Sequence, residues 1–427
     1  MDKRAGIIDQ IGFTHADSST KPIQRWILCL LIIIICMTVG SAAAQDAVDV
    51  AAADYQFFFG PNGTTIAGLA VKSDGTILVG DTSNKITEYN SYGESLTVHK
   101  ADAAKKAFKN IADLLVDPAD NLYVVDGGSP PAINVYDKGW ALVRTIKPES
   151  KLTIASIAYD AGNDWLYTLV GLKAGGNFTQ ITAYDSQGKV VNSFEPVMPA
   201  GKNYSLPGGI ALNKDGSIVM GYGGGSRAIE KLDEVYGVRV YKPDGTLVSE
   251  RRTDYIEEST RTTVGMEIFR YFPTPYGVTV DNAGRIYAYE VQAMPPLNFG
   301  EKTRISGNVT IAAANGTLLR KFAVSQKDSP VGAKMALSPD QKTLYVSTIH
   351  FVHVISLTDK PEFTTVEAIA NVRLRSKPDK TSAPAGAVKA GVILIVTGKS
   401  DDGDWLKVRF NGGDAWVAAA STKTLSR

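Results

Sequence analysis

The chain has 427 residues, 44% hydrophobic and 21% charged, which is enough apolar material for two or three globular domains and excludes a globally disordered polymer. Its 45 Lys and Arg against 44 Asp and Glu leave a formal charge of +1, too weak a field for sequence-independent nucleic-acid binding. With 40 glycines, 19 prolines and 18 tyrosines and no long charge runs, the composition suits short strands and turns, and an all-β protein is expected.

Residues 1–44 read as a signal peptide or N-terminal anchor. Trp26 to Val39 is almost wholly apolar, follows Lys21 and Arg25, and precedes the small-residue run Gly40-Ser41-Ala42-Ala43-Ala44. Such a run is shorter than the roughly 20 apolar residues a spanning helix needs. Cleavage after Ala44 is the expected outcome, and retention, with membrane contact only through this segment, is the alternative. Both cysteines, Cys29 and Cys36, lie inside the run, so the rest of the chain has no thiol for a disulfide or a metal. An extracytoplasmic protein, secreted or held at the cell surface, is expected. The N-x-Ser/Thr triplets at Asn62, Asn177, Asn203, Asn308 and Asn315 are weak support for export.

After a short linker at 45–53, one pattern recurs from 54 to 358. An apolar strand, a tight turn and a second apolar strand appear as Leu69 to Val79, and return at Leu114, Ile157, Ile210, Val278 and Met335. The equivalent second-strand positions Ile77, Leu122, Leu166, Ile218, Ile286 and Leu344 are 45, 44, 52, 68 and 58 residues apart. That period predicts a six-bladed β-propeller with four strands per blade. Third strands end at Tyr89, Tyr136, Tyr184 and Tyr241, and fourth strands follow at Leu96, Leu142, Val191, Leu247 and Leu319. The last copy lacks a fourth strand, and Tyr55 to Phe59 ahead of the first copy is expected to supply it, sealing the ring.

Strand alternation puts the tight turns, such as Asp74-Gly75 and Asp215-Gly216, on one rim and every long insertion on the other. The insertions are Gly127 to Ala132, Gly171 to Phe178, Gly223 to Tyr236, Val291 to Gly307, His99 to Asn110, Glu195 to Pro207 and Arg252 to Pro275. Ligand recognition is expected on that rim. The apolar spacing from Arg227 to Tyr236 reads as a short capping helix.

Pro207-Gly-Gly-Ile-Ala-Leu and Pro275-Tyr-Gly-Val-Thr-Val, each followed by a glycine turn and a strand, resemble NHL-type and related six-bladed propellers over roughly 300 residues. Folds of this kind include scaffolds, polymer-binding surface proteins and calcium-dependent lactonases of the gluconolactonase type.

Residues 359–363 form a short linker, and 364–427 change character, with ten Lys/Arg against six Asp/Glu. Val372-Arg-Leu-Arg375-Ser-Lys-Pro378, Gly386 to Gly391, Trp405 to Phe410 and Gly413-Asp-Ala-Trp416-Val resemble a bacterial-type SH3 domain. Arg373 stands where that family's opening motif usually has Asn, and Lys377 where it has Gly. Arg373, Arg375 and Lys377 are expected to border the groove and suit an anionic envelope polymer or acidic peptide. Trp405 and Trp416 are expected as barrel core, with ligand stacking as the alternative.

On the propeller, the second-strand exits carry Asp81, Asp126, Val170, Tyr222, Glu290 and Thr348. The resemblance to NHL-like repeats, which use an Asp at this place to fasten the next loop through backbone N–H groups, implies that role for Asp81 and Asp126. The alternative is a Ca²⁺ site in which Asp126 and Glu290 are the leading ligands. The resemblance to gluconolactonases implies a Glu in the first inner strand, and Ile66 to Val71 has none. His350 and His353 are three apart on a strand and face opposite ways, so no shared ion is expected, while His350 alone is a contact candidate. Ligand-binding candidates are therefore Asp81, Asp126, Tyr222, Arg227, Glu290 and His350, with no catalytic set and no cofactor beyond the optional Ca²⁺. The reading is an exported cell-envelope binding protein, its partner an envelope polymer or surface protein. A Ca²⁺-dependent lactonase and a structural surface-layer component are the alternatives.

Overall fold

Two turns explain why the chain doubles back where the repeat demands it. Gly75 and Gly216 sit at φ +86° and +81°, a region open to glycine and costly for other residues, and each closes a hairpin between the first two strands of its repeat. The computed structural model describes residues 54–61, 63–148, 153–170, 180–196, 205–224, 235–253, 256–262, 265–271, 274–294, 304–324, 333–358 and 364–424. The expected leader, Arg227 and its capping helix, and the 359–363 junction lie outside the described residues.

Six four-stranded antiparallel sheets form. Lettering the strands a to d from the centre outward, the a strands of blades 1 to 6 are Ile66–Val71, Ile111–Val116, Ile154–Asp160, Ser205–Leu212, Thr274–Val280 and Met335–Leu337. Consecutive a strands touch all the way round, with blade 6 meeting both blade 5 and blade 1. The molecule is a six-bladed β-propeller. Blade 6 takes its d strand, Asp54–Phe59, from the start of the chain, paired antiparallel with Val352–Ser356. That pairing satisfies backbone groups that an open edge would leave bare.

The repeat works because each blade must present apolar side chains to the next. Ile77, Leu122, Leu166, Ile218, Ile286 and Leu344 are 0–3% exposed. Each lies opposite the last channel-lining residue of its a strand: Val71, Val116, Tyr159, Leu212, Val280 and Leu337.

Two insertions differ from expectation. Between blades 4 and 5 the Arg252 to Pro275 segment contains a two-stranded ribbon, Ile256–Thr262 with Gly265–Tyr271, rather than an irregular loop. In blade 5 the b and c strands continue to Met294 and Arg304. The ribbon between blades 4 and 5 holds Thr, Ile, Phe and Tyr, which favour strands, but without the regular apolar alternation of a covered face it reads as a loop.

The C-terminal strands Pro384–Val388, Val372–Arg375, Gly413–Ala418, Trp405–Phe410, Ile393–Lys399, Thr364–Ala368 and Thr422–Thr424 are hydrogen-bonded in that order as one sheet. Val366, Ala368, Leu374, Val408, Ala415 and Val417 fill its core. The barrel docks on the closing blade. Its strands Thr364–Ala368 and Ile393–Lys399 lie against Asp54–Phe59, and Ile395, 6% exposed, shares a hydrophobic cluster with Phe59, Tyr345, Val352 and Val354. Arg409 grips Glu94, in the c–d turn of blade 1, through Nε–Oε1 at 2.9 Å and Nη2–Oε2 at 3.1 Å, and the Gly412 amide donates to the same carboxylate.

Candidate functional site

The second-strand exits do not form one site. Asp81 is buried and accepts hydrogen bonds from the Ser83 and Lys85 amides, the Ser83 hydroxyl and Thr64 Oγ1, the loop-fastening role. Asp126 does the same more simply, accepting the Gly128 amide at 2.9 Å. Tyr222 donates to Glu250 at 2.7 Å, with the Arg239 guanidinium stacked 4.3 Å from its ring centroid. Burial raises the Tyr222 phenol, and the bond to Glu250 reinforces this. Burial also pushes Glu250 upward, but hydrogen bonds from Tyr222, Arg239 and Arg252 outweigh it and leave the carboxyl below its usual range.

Glu290, 2% exposed, is held by Arg251 of the neighbouring blade and accepts Thr310 Oγ1 at 2.8 Å. It is half of an inter-blade ion pair. His350 sits in the turn between the b and c strands of blade 6, half-buried, whereas His353 is fully buried in the c strand near Thr348.

Asp126 and Glu290 belong to blades 2 and 5 and do not converge. Among the described residues no group of three His, Cys, Asp or Glu side chains comes together, and Ca²⁺ takes about six to eight oxygen ligands. Asp126 and Glu290 are each engaged elsewhere, by the Gly128 amide and by Arg251.

What the fold does assemble lies in the central channel, a cavity of about 600 Å³ lined by all six a strands. Three residues before Val71 and its five equivalents comes a layer of Gly68, Asp113, Ser156, Gly209, Gly277 and Lys334. In blades 1 to 5 a register shift falls at or just before this layer, turning the strand locally. From blade 6, Lys334 Nζ crosses the channel to Asp113 Oδ2 in blade 2 and to the Ala155 carbonyl in blade 3, each at 3.1 Å. Burial pushes the Asp113 carboxyl upward, opposed by Lys334 and by the Leu114 and Ile157 amides. Sequence reasoning missed this layer. Aligning the repeats by position, rather than by residue type, would have exposed it.

The C-terminal barrel carries the second constellation. In Trp405–Phe410, Leu406, Val408 and Phe410 pack inward, so Trp405, Lys407 and Arg409 point outward. Trp416 lies opposite Lys407 and also pairs in register with Arg375. Both tryptophans are half-buried and outside the core cluster, which corrects the expectation that they are core. The strand alternation around them carries that signal. Neither indole N–H has a hydrogen-bond partner among the described residues. Arg373 and Lys377 are exposed, and Arg375 donates to the Ser382 carbonyl at 2.8 Å. Lys407 pairs with Asp414 at 2.7 Å.

Residues 370–423 match the family model of the bacterial SH3 domain. A solved structure of a gluconolactonase from Xanthomonas campestris aligns over 71% of this chain and 87% of its own, at 13% identity and a TM-score of 0.45. No curated protein matches the chain.

Proposed function

We propose that this six-bladed propeller with a bacterial SH3 domain is an exported binding protein held at the cell envelope through the outward face of its SH3 barrel. The observation that carries the reading is the placement of Trp405 and Trp416 on one outward sheet face with Lys407 and Arg375, outside the barrel core. Indole faces stack on the flat apolar sides of sugars or peptide groups, indole N–H groups donate to their polar edges, and guanidinium groups attract anionic substituents. The ligand class is an envelope polymer bearing negative charge. The propeller is the display platform, and its partner is a surface protein met through the rim that carries the long insertions.

The docked geometry supports this reading. Arg409 contacts the propeller from one end of the Trp405–Phe410 strand, while Trp405 occupies the other end. Anchoring through Arg409 leaves Trp405 at the strand end away from that contact.

Sedimentation with isolated cell envelopes tests the reading. The chain pellets with envelopes, and Trp405→Ala/Trp416→Ala, folded by circular dichroism, stays in the supernatant. Equal pelleting of both proteins removes the attachment role from this face.

A further inference from the structure

The channel layer is built asymmetrically. Blades 2, 3 and 6 send in Asp113, Ser156 and Lys334, whereas blades 1, 4 and 5 contribute Gly68, Gly209 and Gly277. An ammonium has three N–H donors, and Lys334 uses two, on Asp113 and Ala155. Its side chain is 19% exposed against 6% for Asp113, so the channel meets the cation rather than the carboxylate. Tyr276 also lines the channel, and its hydroxyl has no hydrogen-bond partner among the described residues. Toward the tight-turn rim the lining includes the apolar side chains of Leu115, Ala158, Ala211, Leu212 and Ala336.

We propose that the central channel binds a small monocarboxylate with an apolar body, its carboxylate taking the third N–H of Lys334 and its body lying along the apolar a strands. The ionic head gains a charge-assisted hydrogen bond in a partly desolvated site, and the body removes apolar surface from water. A dianion is disfavoured because Asp113 already neutralises Lys334 at 3.1 Å. The site is separate from the SH3 face and stands whether or not that face binds envelope.

Titration calorimetry with octanoate, using butanoate and octylamine as comparisons, tests the proposal. Octanoate binds more tightly than butanoate, and octylamine does not bind. Lys334→Met weakens octanoate binding by roughly tenfold or more and Tyr276→Phe by about threefold. Absence of octanoate binding up to about 10 mM, equal binding of octylamine, or unchanged affinity in Lys334→Met overturns the proposal. Should Lys334→Met fail to fold, Tyr276→Phe decides: an unchanged octanoate affinity overturns it, and a weakened one upholds it.

Discussion

Arg409 of the SH3 barrel and Glu94 of blade 1 form a two-pronged ion pair, at 2.9 and 3.1 Å, that ties the two modules together. Burial pushes Glu94 upward, but hydrogen bonds from Arg409, Asn90 and the Gly412 amide outweigh it, so its carboxyl lies below its ordinary value of 4.5. A carboxylate with a depressed folded pKa contributes stability that is complete above its unfolded value and is lost as pH falls through the folded one. Docking therefore loosens below about pH 4.5. Proteolysis of the segment joining propeller and barrel, compared at pH 7 and pH 3.5, reads this directly. Glu94→Gln abolishes the acid-dependent part of the cleavage; a wild-type rate that is the same at both pH values contradicts the assignment.

Removing the barrel uncovers the outer strand that closes the ring. Deletion of residues 364–427 exposes the cluster around Phe59 and Val352 that Ile395 covers, and the propeller melts several degrees lower. The single change Ile395→Ala costs about 2 kcal/mol, since the lost methyl groups leave a partial cavity between modules. Calorimetry of both variants gives the values, and an unchanged propeller transition in the deletion would refute a stabilising role for docking.

Glu290→Ala leaves Arg251 without its buried partner and costs about 3 kcal/mol, whereas Asp126→Ala loses one hydrogen bond to the Gly128 amide and costs about 1 kcal/mol. Denaturant titration measures both. Adding Ca²⁺ moves the melting temperature of neither variant nor of the parent, and a calcium-dependent shift abolished by Asp126→Ala would restore the metal reading.

His99 stacks on Trp140 with ring centroids 3.7 Å apart. Burial holds the imidazole below its ordinary value of 6.5; Glu88 opposes the shift and Lys72 adds to it. The folded state resists protonation, so the contribution of His99 is present above pH 6.5 and fades as pH falls through the depressed value. Trp140 fluorescence changes below pH 6.5 and not above it, and His99→Phe flattens the profile. A midpoint at or above 6.5 runs against the assignment.

The propeller was legible because its burial is periodic. Ile77 and its five equivalents must each be apolar for adjacent blades to seal, so the spacing alone reveals the circle. Ring closure followed from a missing strand at one end and a spare one at the other. The pairings that decide site chemistry are non-local, and no spacing announces them. Glu290 meets Arg251 on another blade, and Lys334 reaches Asp113 across the channel. Tyr222 lies within the b strand of blade 4, which runs on to Gly224, and its partner Glu250 lies on the outermost strand of the same blade. Trp405 and Trp416 were named as candidates, and the inward run of Leu406, Val408 and Phe410 already told which way they point.

Tryptophan oxidation footprinting of the envelope-bound protein tests attachment through the SH3 face most directly. Trp405 and Trp416 become protected when the protein binds envelopes, while Trp165 in blade 3 reacts as it does free in solution. Protection confined to the propeller, with Trp405 and Trp416 as reactive bound as free, would contradict the account.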